Sequence, residues 1–288
     1  MTDLTRRSFV KTSVLGGVSA LALGNCGSGT KGPYGGYTMA LATYGFRNFT
    51  GPEAVAMTKS VGITAMDLWP GLAGRLGGGK ADKKIKPYHL NPQVWGEMKQ
   101  ALNQHGVKVL AYGVQRFSAD HEANRQIFQW AKDNGIQAFG AQPSPDSFDS
   151  LEKLVEEYQI DVGIHNHGAN DKLYGKISQV VAAVKDKHPR IGATVDLGHF
   201  WRGGEDPVEA LEALGDRVLG AHLKDQVGEH EQAILGEGKM DLPGILRTLK
   251  KINYQGVLGL EYEDNPDDPL PHIAKCLENL RAMFAEMG

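Results

Sequence analysis

The chain has 288 residues, 41% of them hydrophobic and 23% charged, which is the make-up of a globular protein large enough to bury a sizeable core. A formal net charge of −3, with no run of Lys or Arg, leaves no electrostatic footprint for nucleic acid and sets that class of partner aside. The only cysteines are Cys26 and Cys276, and the second falls in a helical pattern, so no disulfide framework is expected.

The N-terminus carries TRRSFVK, Thr5 to Lys11, ahead of the uncharged, small and apolar run SVLGGVSALALG, Ser13 to Gly24. Paired arginines before such a run resemble a twin-arginine export signal, and the run is shorter than the roughly 20 apolar residues a membrane-spanning helix needs. One expectation is cleavage after Ala22. The other is that LGNC, Leu23 to Cys26, acts as a lipoprotein box that leaves Cys26 as a lipidated N-terminus. Residues 1–26 are therefore read as the export signal, 27–36 as a flexible Gly-rich linker, and 37–288 as a single barrel domain. The expected location is periplasmic, or lipid-anchored at the cell envelope, with Cys26 as the one contact to a membrane.

From Met39 onward, short apolar runs alternate with amphipathic segments eight times. The strand candidates are MALATY (39–44), TAMDLW (64–69), VKVLAY (107–112), QAFGAQ (137–142), DVGIH (161–165), GATVD (192–196), VLGAH (218–222) and VLGLE (257–261). Helical patterns such as PQVWGEMKQALNQHG and HEANRQIFQWAKDNG lie between them and stop at Gly. Eight strand–helix repeats in about 250 residues predict an α/β fold, a (β/α)8 TIM barrel. The polar, Gly-rich connection GLAGRLGGGKADKKIKPYHL after the second strand is expected over the barrel mouth.

Most strands read small-x-polar near their C-terminal ends, for example Gly140 then Gln142, Gly163 then His165, Gly220 then His222 and Gly259 then Glu261. Alternate residues of a barrel strand point inward, so a layer of small side chains is expected beneath a layer of polar ones. Strands five to eight thereby end in His165, Asp196, His222 and Glu261. Two imidazoles and two carboxylates from adjacent strands are a donor set for a divalent metal; manganese is preferred, with zinc, cobalt, iron or magnesium as alternatives.

VDLGHFWRGG, AHLKD, LGEGKMDL and GVLGLEYE, in that order, resemble the xylose isomerase-like superfamily of sugar isomerase and epimerase barrels over about Thr43 to Leu280. The resemblance implies an ion held by Asp196, His222 and Glu261, with His199 touching the sugar. Where that superfamily commonly has Leu-Glu-x-His on strand five, this chain has Ile164-His165-Asn166-His167, so His165 stands in the glutamate's place. A histidine bound to metal through one nitrogen cannot use that lone pair as a base. His167, on the same side and further out, is then the candidate proton carrier or substrate contact. Lys224 shares the side of His222 and is a candidate base, since a nearby cation disfavours its ammonium form. Glu261 remains an acid–base candidate, and Glu263 shares its side at the rim. Tyr44, Trp69, Tyr112 and Gln142 are candidate sugar contacts, because aromatic faces and amides suit polyols.

These residues predict a metal-dependent isomerase- or epimerase-like enzyme that abstracts a proton next to the carbonyl of a non-phosphorylated keto-sugar or glycoside. The alternatives are a 3-keto-glycoside lyase or hydrolase working by β-elimination and, from another class, an exported carbohydrate-binding barrel without catalysis. A nuclease, known in the same superfamily, fits poorly with the acidic charge balance.

Overall fold

A computed structural model describes residues 32–288, which lie within one compact unit. The export signal, Cys26 and linker residues 27–31 lie outside the described residues. Among the described residues, no helix is long and apolar enough to cross a membrane.

Eight parallel strands close into a barrel: β1 (Thr38–Ala42), β2 (Ala65–Leu68), β3 (Lys108–Phe117), β4 (Ala138–Pro143), β5 (Asp161–His165), β6 (Ile191–Asp196), β7 (Val218–Leu223) and β8 (Val257–Leu260). They neighbour one another in chain order, and β8 returns to pair with β1 through Met39↔Leu258 and Leu41↔Leu260. The outer layer is α1 (Gly51–Ser60), α2 (Pro92–His105), α3 (His121–Asp133), α4 (Phe148–Tyr158), α5 (Ile177–Val184), α6 (Leu197–Arg202), α7 (Pro207–Leu214), α8 (Leu242–Lys251) and α9 (Leu270–Met287). Helix starts follow local chemistry. Thr50 and Glu53 form a reciprocal capping box on α1, while Asn91, Asp120 and Asp241 cap α2, α3 and α8 by accepting from backbone N–H groups.

The small layer beneath the polar one is present, and Thr194 fills much of it. A Cβ on Gly163 would fall 2.2 Å from Thr194 Oγ1, and one on Gly220 2.8 Å from it, so glycine at these positions is what admits the threonine at the barrel axis. Above this floor the barrel opens toward the C-terminal ends of its strands.

Of the boundaries that differ from the sequence expectation, three shape the mouth. β1 ends at Ala42, and Thr43–Phe46 form a 3-10 turn. Gly45 comes so close to the Tyr262 carbonyl that a Cβ would lie 2.4 Å from it, so this turn needs glycine there. β3 continues five residues beyond the expected end, pairing as far as Phe117↔Pro143, and so brings Gly113 and Val114 to the barrel mouth. β8 stops at Leu260, although Glu261 N still donates to the Leu223 carbonyl at 3.0 Å and keeps the ladder's direction. The long β2–α2 connection contains an antiparallel hairpin, Arg75–Gly77 with Lys80–Ala81, and Arg75 lies over the Trp69 ring at the mouth.

Candidate active site

Parallel pairing puts the polar strand ends side by side: His165 pairs with Thr194, and Asp196 with His222. His165, Asp196, His222 and Glu261 are all buried, and one ligand atom from each lies within 4.8 Å of every other. His165 Nε2 is 3.3 Å from His222 Nδ1 and 3.7 Å from Asp196 Oδ2. His222 Nδ1 is 2.9 Å from Glu261 Oε2 and 3.9 Å from Asp196 Oδ2. These four atoms bound one small space, as expected for the ligands of a single ion.

Asp196 divides its two oxygens between structure and site. Oδ1 accepts from His199 N at 2.8 Å and caps α6, whereas Oδ2 turns inward and is buried without a hydrogen-bond donor. Lys224 Nζ lies 2.9 Å from Oδ2, a close charge contact that lacks the alignment of a hydrogen bond. His165 Nδ1 is likewise buried with no partner. An orphaned acceptor such as Asp196 Oδ2 is costly in a protein interior and fits a site that takes a cation.

The charges follow from burial and neighbours. Burial opposes ionisation of Asp196, yet His199, Lys224 and the other imidazoles hold its carboxyl well below the ordinary carboxylate range. Burial and then Lys224 and His222 act in the same two directions on Glu261, which is also held low. His165 is driven well below the usual imidazole value by burial and by His222, so it is neutral and has a lone pair available. His222 goes the other way: burial opposes its charge, but Glu261 and Asp67 at its two nitrogens raise it well above normal. Lys224 is buried too, and Asp196, Glu261 and Glu263 outweigh that burial and hold the ammonium above its usual value. These carboxylates favour the ammonium, whereas a cation held among them would act in the opposite direction, the one that the expectation of Lys224 as a base relies on. The lysine contacts Glu261 Oε2 at 3.1 Å and donates to Glu263, and carboxylates so placed keep its proton on.

A cavity of about 300 Å³ opens above the cluster. His167, His199, Lys224, Glu263, Tyr44 and Trp69 line it as expected, the last two meeting edge to face with centroids 5.0 Å apart. His167 stands 4.7 Å from the His165 ring and is pushed down from its ordinary value by burial; His199, for the same reason, is pushed down to about 4. Tyr112 and Gln142 do not line this cavity. Tyr112 is buried among the helices, with its ring 4.9 Å from Trp130 and its hydroxyl 3.0 Å from His89 Nδ1. Gln142 donates to Asp171 Oδ2 at 2.7 Å and borders a neighbouring groove.

Two further side chains complete the site. Asp67, at the end of β2, sits 2.8 Å from His222 Nε2, so it can take that N–H and leave Nδ1 facing the cluster. Ala65 and Asp67 repeat the small-then-polar pattern of the other strand ends, which points Asp67 inward. Asn166 is fully buried; its Oδ1 accepts from Asp196 N at 2.8 Å and its Nδ2 donates to Asp196 O at 2.9 Å. It ties the end of β5 to the end of β6 beside the ligands, and its position between the two histidines of IHNHG is the only sequence signal it gives.

Residues 55–282 match the family described as the xylose isomerase-like TIM barrel. The chain belongs to that family. Among relatives in the xylose isomerase-like family, a rhizopine catabolism protein, MocC of Rhizobium meliloti, is 26% identical over 159 residues, 48% of each chain. The present chain thus spans about half the length of that relative. The inosose dehydratase of Clostridium botulinum (strain Alaska E43) is 25% identical over 220 residues, 66% of this chain and 70% of that one. The crystal structure of the IolI protein with a bound zinc atom superimposes with a TM-score of 0.65 at 15% identity, covering 86% of this chain and 99% of that one, which shows a shared fold.

Proposed function

We propose that this barrel is a divalent-metal-dependent enzyme that removes a proton next to the carbonyl of a non-phosphorylated keto-sugar or keto-glycoside. The observation that carries the reading is the convergence of His165 Nε2, Asp196 Oδ2, His222 Nδ1 and Glu261 Oε2 on one buried space beneath an open cavity. A hydrogen next to a carbonyl is too weakly acidic to leave at neutral pH unaided. A bound divalent ion would supply the stabilisation of negative charge growing on the carbonyl oxygen, and the mixed nitrogen and oxygen donors suit manganese, zinc, cobalt or iron.

The chain's own groups then have distinct tasks. His167 borders the cavity and stands outside the four-residue cluster, and it is the candidate to take the proton and return it. Lys224, held as the ammonium, offers positive charge beside the cluster. His199, Tyr44 and Trp69 bound the space that a sugar ring fills. Returning the proton to the neighbouring carbon gives an isomer, and to the opposite face an epimer. Expelling a β-substituent gives elimination, and the similarity to an inosose dehydratase supports that outcome for this chain.

Two features favour a substrate without phosphate. Lys224 is the one Lys or Arg lining the cavity among the described residues, and it is already surrounded by carboxylates, while Asp67, Glu261 and Glu263 add negative charge. The paired arginines at the N-terminus belong to the same reading, because an exported enzyme meets few sugar phosphates. The test is to incubate the metal-loaded protein with 3-keto-glucosides in deuterated water. Deuterium entering the carbon next to the carbonyl, or release of the leaving group, is the expected result. Retained metal with no exchange and no release would mark a carbohydrate-binding barrel instead.

A further inference from the structure

The cavity above the metal-ligand cluster does not end at His167. The same histidine forms one wall of a second, open groove of about 840 Å³, bounded by the ends of β3 and β4 and by the loop after β5. Ile127, Pro143 and Leu173 form its apolar side, and Arg116, Lys172, Asp171, Asn170 and Gln142 are among its charged and polar groups. The groove wall is held in place: Asp171 accepts from Leu173 N at 2.9 Å, from Tyr174 N at 3.2 Å and from Gln142 Nε2 at 2.7 Å. Three large apolar side chains are exposed among the described residues, and Leu173, 49% exposed, is the one that borders this groove.

The two spaces differ in chemistry. The central cavity is lined by imidazoles and carboxylates, and its 300 Å³ lies at the small end of ligand-binding pockets, enough for one sugar ring. The groove is larger, more open and has an apolar side. Phe117 is too buried, at 3% exposure, to offer the flat face on which a second pyranose would stack.

We propose that the substrate has two parts: a keto-sugar ring in the central cavity and, joined to it across His167, a largely apolar aglycone in the Leu173 groove. The assignment rests on the functional reading above and narrows it to glycosides with an apolar leaving portion. Leu173 then acts as a specificity residue, and Gln142 and Asp171 as the wall that shapes its pocket.

The test compares the full chain's binding of 4-nitrophenyl glucoside and methyl glucoside, followed by NMR of labelled Leu and Ile methyl groups. The aryl glucoside is expected to bind about tenfold tighter, the gain from removing roughly 50 Å² of apolar surface from water. It should shift the signals of Leu173 and Ile127, and Leu173→Asp, a surface change compatible with folding, should abolish the preference while leaving methyl glucoside binding unchanged. Equal affinities, or an aryl preference that survives Leu173→Asp, would overturn the groove's role. Deuterium exchange on methyl 3-keto-glucoside separates the two readings. Exchange without an aryl preference removes the groove and keeps the enzyme, whereas an aryl preference without exchange keeps the groove and removes the enzyme.

Discussion

Asp67 shows how one carboxylate can set the state of a ligand it does not replace. In the neutral imidazole that a metal ligand must be, the Asp67 contact with His222 Nε2 keeps the remaining proton there and directs the other nitrogen toward Asp196 and Glu261. Asp67→Ala is therefore expected to weaken metal binding by roughly 10- to 100-fold without unfolding the barrel, as measured by competition with a chelator of known affinity. Unchanged affinity would remove Asp67 from the site. His199 gives a pH prediction for the metal-free protein. Its folded value of about 4 lies below the ordinary 6.5, so between these values the unfolded chain binds a proton that the folded imidazole refuses. Stability should fall as pH drops through that window, by an amount approaching about 3 kcal/mol from this group. His199→Gln should flatten the acid limb of the melting-temperature profile; an unchanged limb would contradict the assignment. His222 has the opposite sign, because its raised value gives stabilisation that is complete below 6.5 and is lost as pH rises through the folded value.

At the scale of elements, the site depends on how strand ends are tied together. Asn166 satisfies both the N–H and the C=O of Asp196, so Asn166→Ala would leave two buried backbone groups unpaired and cost about 2 to 3 kcal/mol. A lower urea midpoint at unchanged slope is the expected measurement, and an unaltered midpoint would show that the tie is dispensable. The same scale explains what the sequence could and could not reveal. His165, Asp196, His222 and Glu261 were legible because they repeat one position on consecutive strands, and the alternation of a parallel strand sends that position inward. Tyr112 was misplaced because β2 and β3 slip in register between Met66 and Asp67, which pairs Tyr112 with Leu68. A slip of one residue exchanges the inward and outward faces, and nothing in VKVLAYG announces it. The bonding of Asp67 to His222 was hidden for another reason: 155 residues separate them, and only closure of the barrel brings them together.

For the whole molecule, the barrel sets a contrast between a floor of small, uncharged side chains and a rim crowded with charge. Thr194 and the glycines around it fill the axis, and the buried histidines and carboxylates face the cavity lined by His167, Tyr44 and Trp69. Such a concentration of ionisable groups is costly in a protein interior unless the charges neutralise one another or hold an ion. Lys224 supplies part of that neutralisation, and the orphaned oxygen of Asp196 is what it leaves unsatisfied. The most direct test is anomalous scattering from crystals of the full chain grown with manganese or zinc. The account predicts one strong peak at roughly 2.0 to 2.3 Å from His165 Nε2, Asp196 Oδ2, His222 Nδ1 and Glu261 Oε2. A peak elsewhere, or none while Lys224 still rests against Asp196 and Glu261, would contradict it.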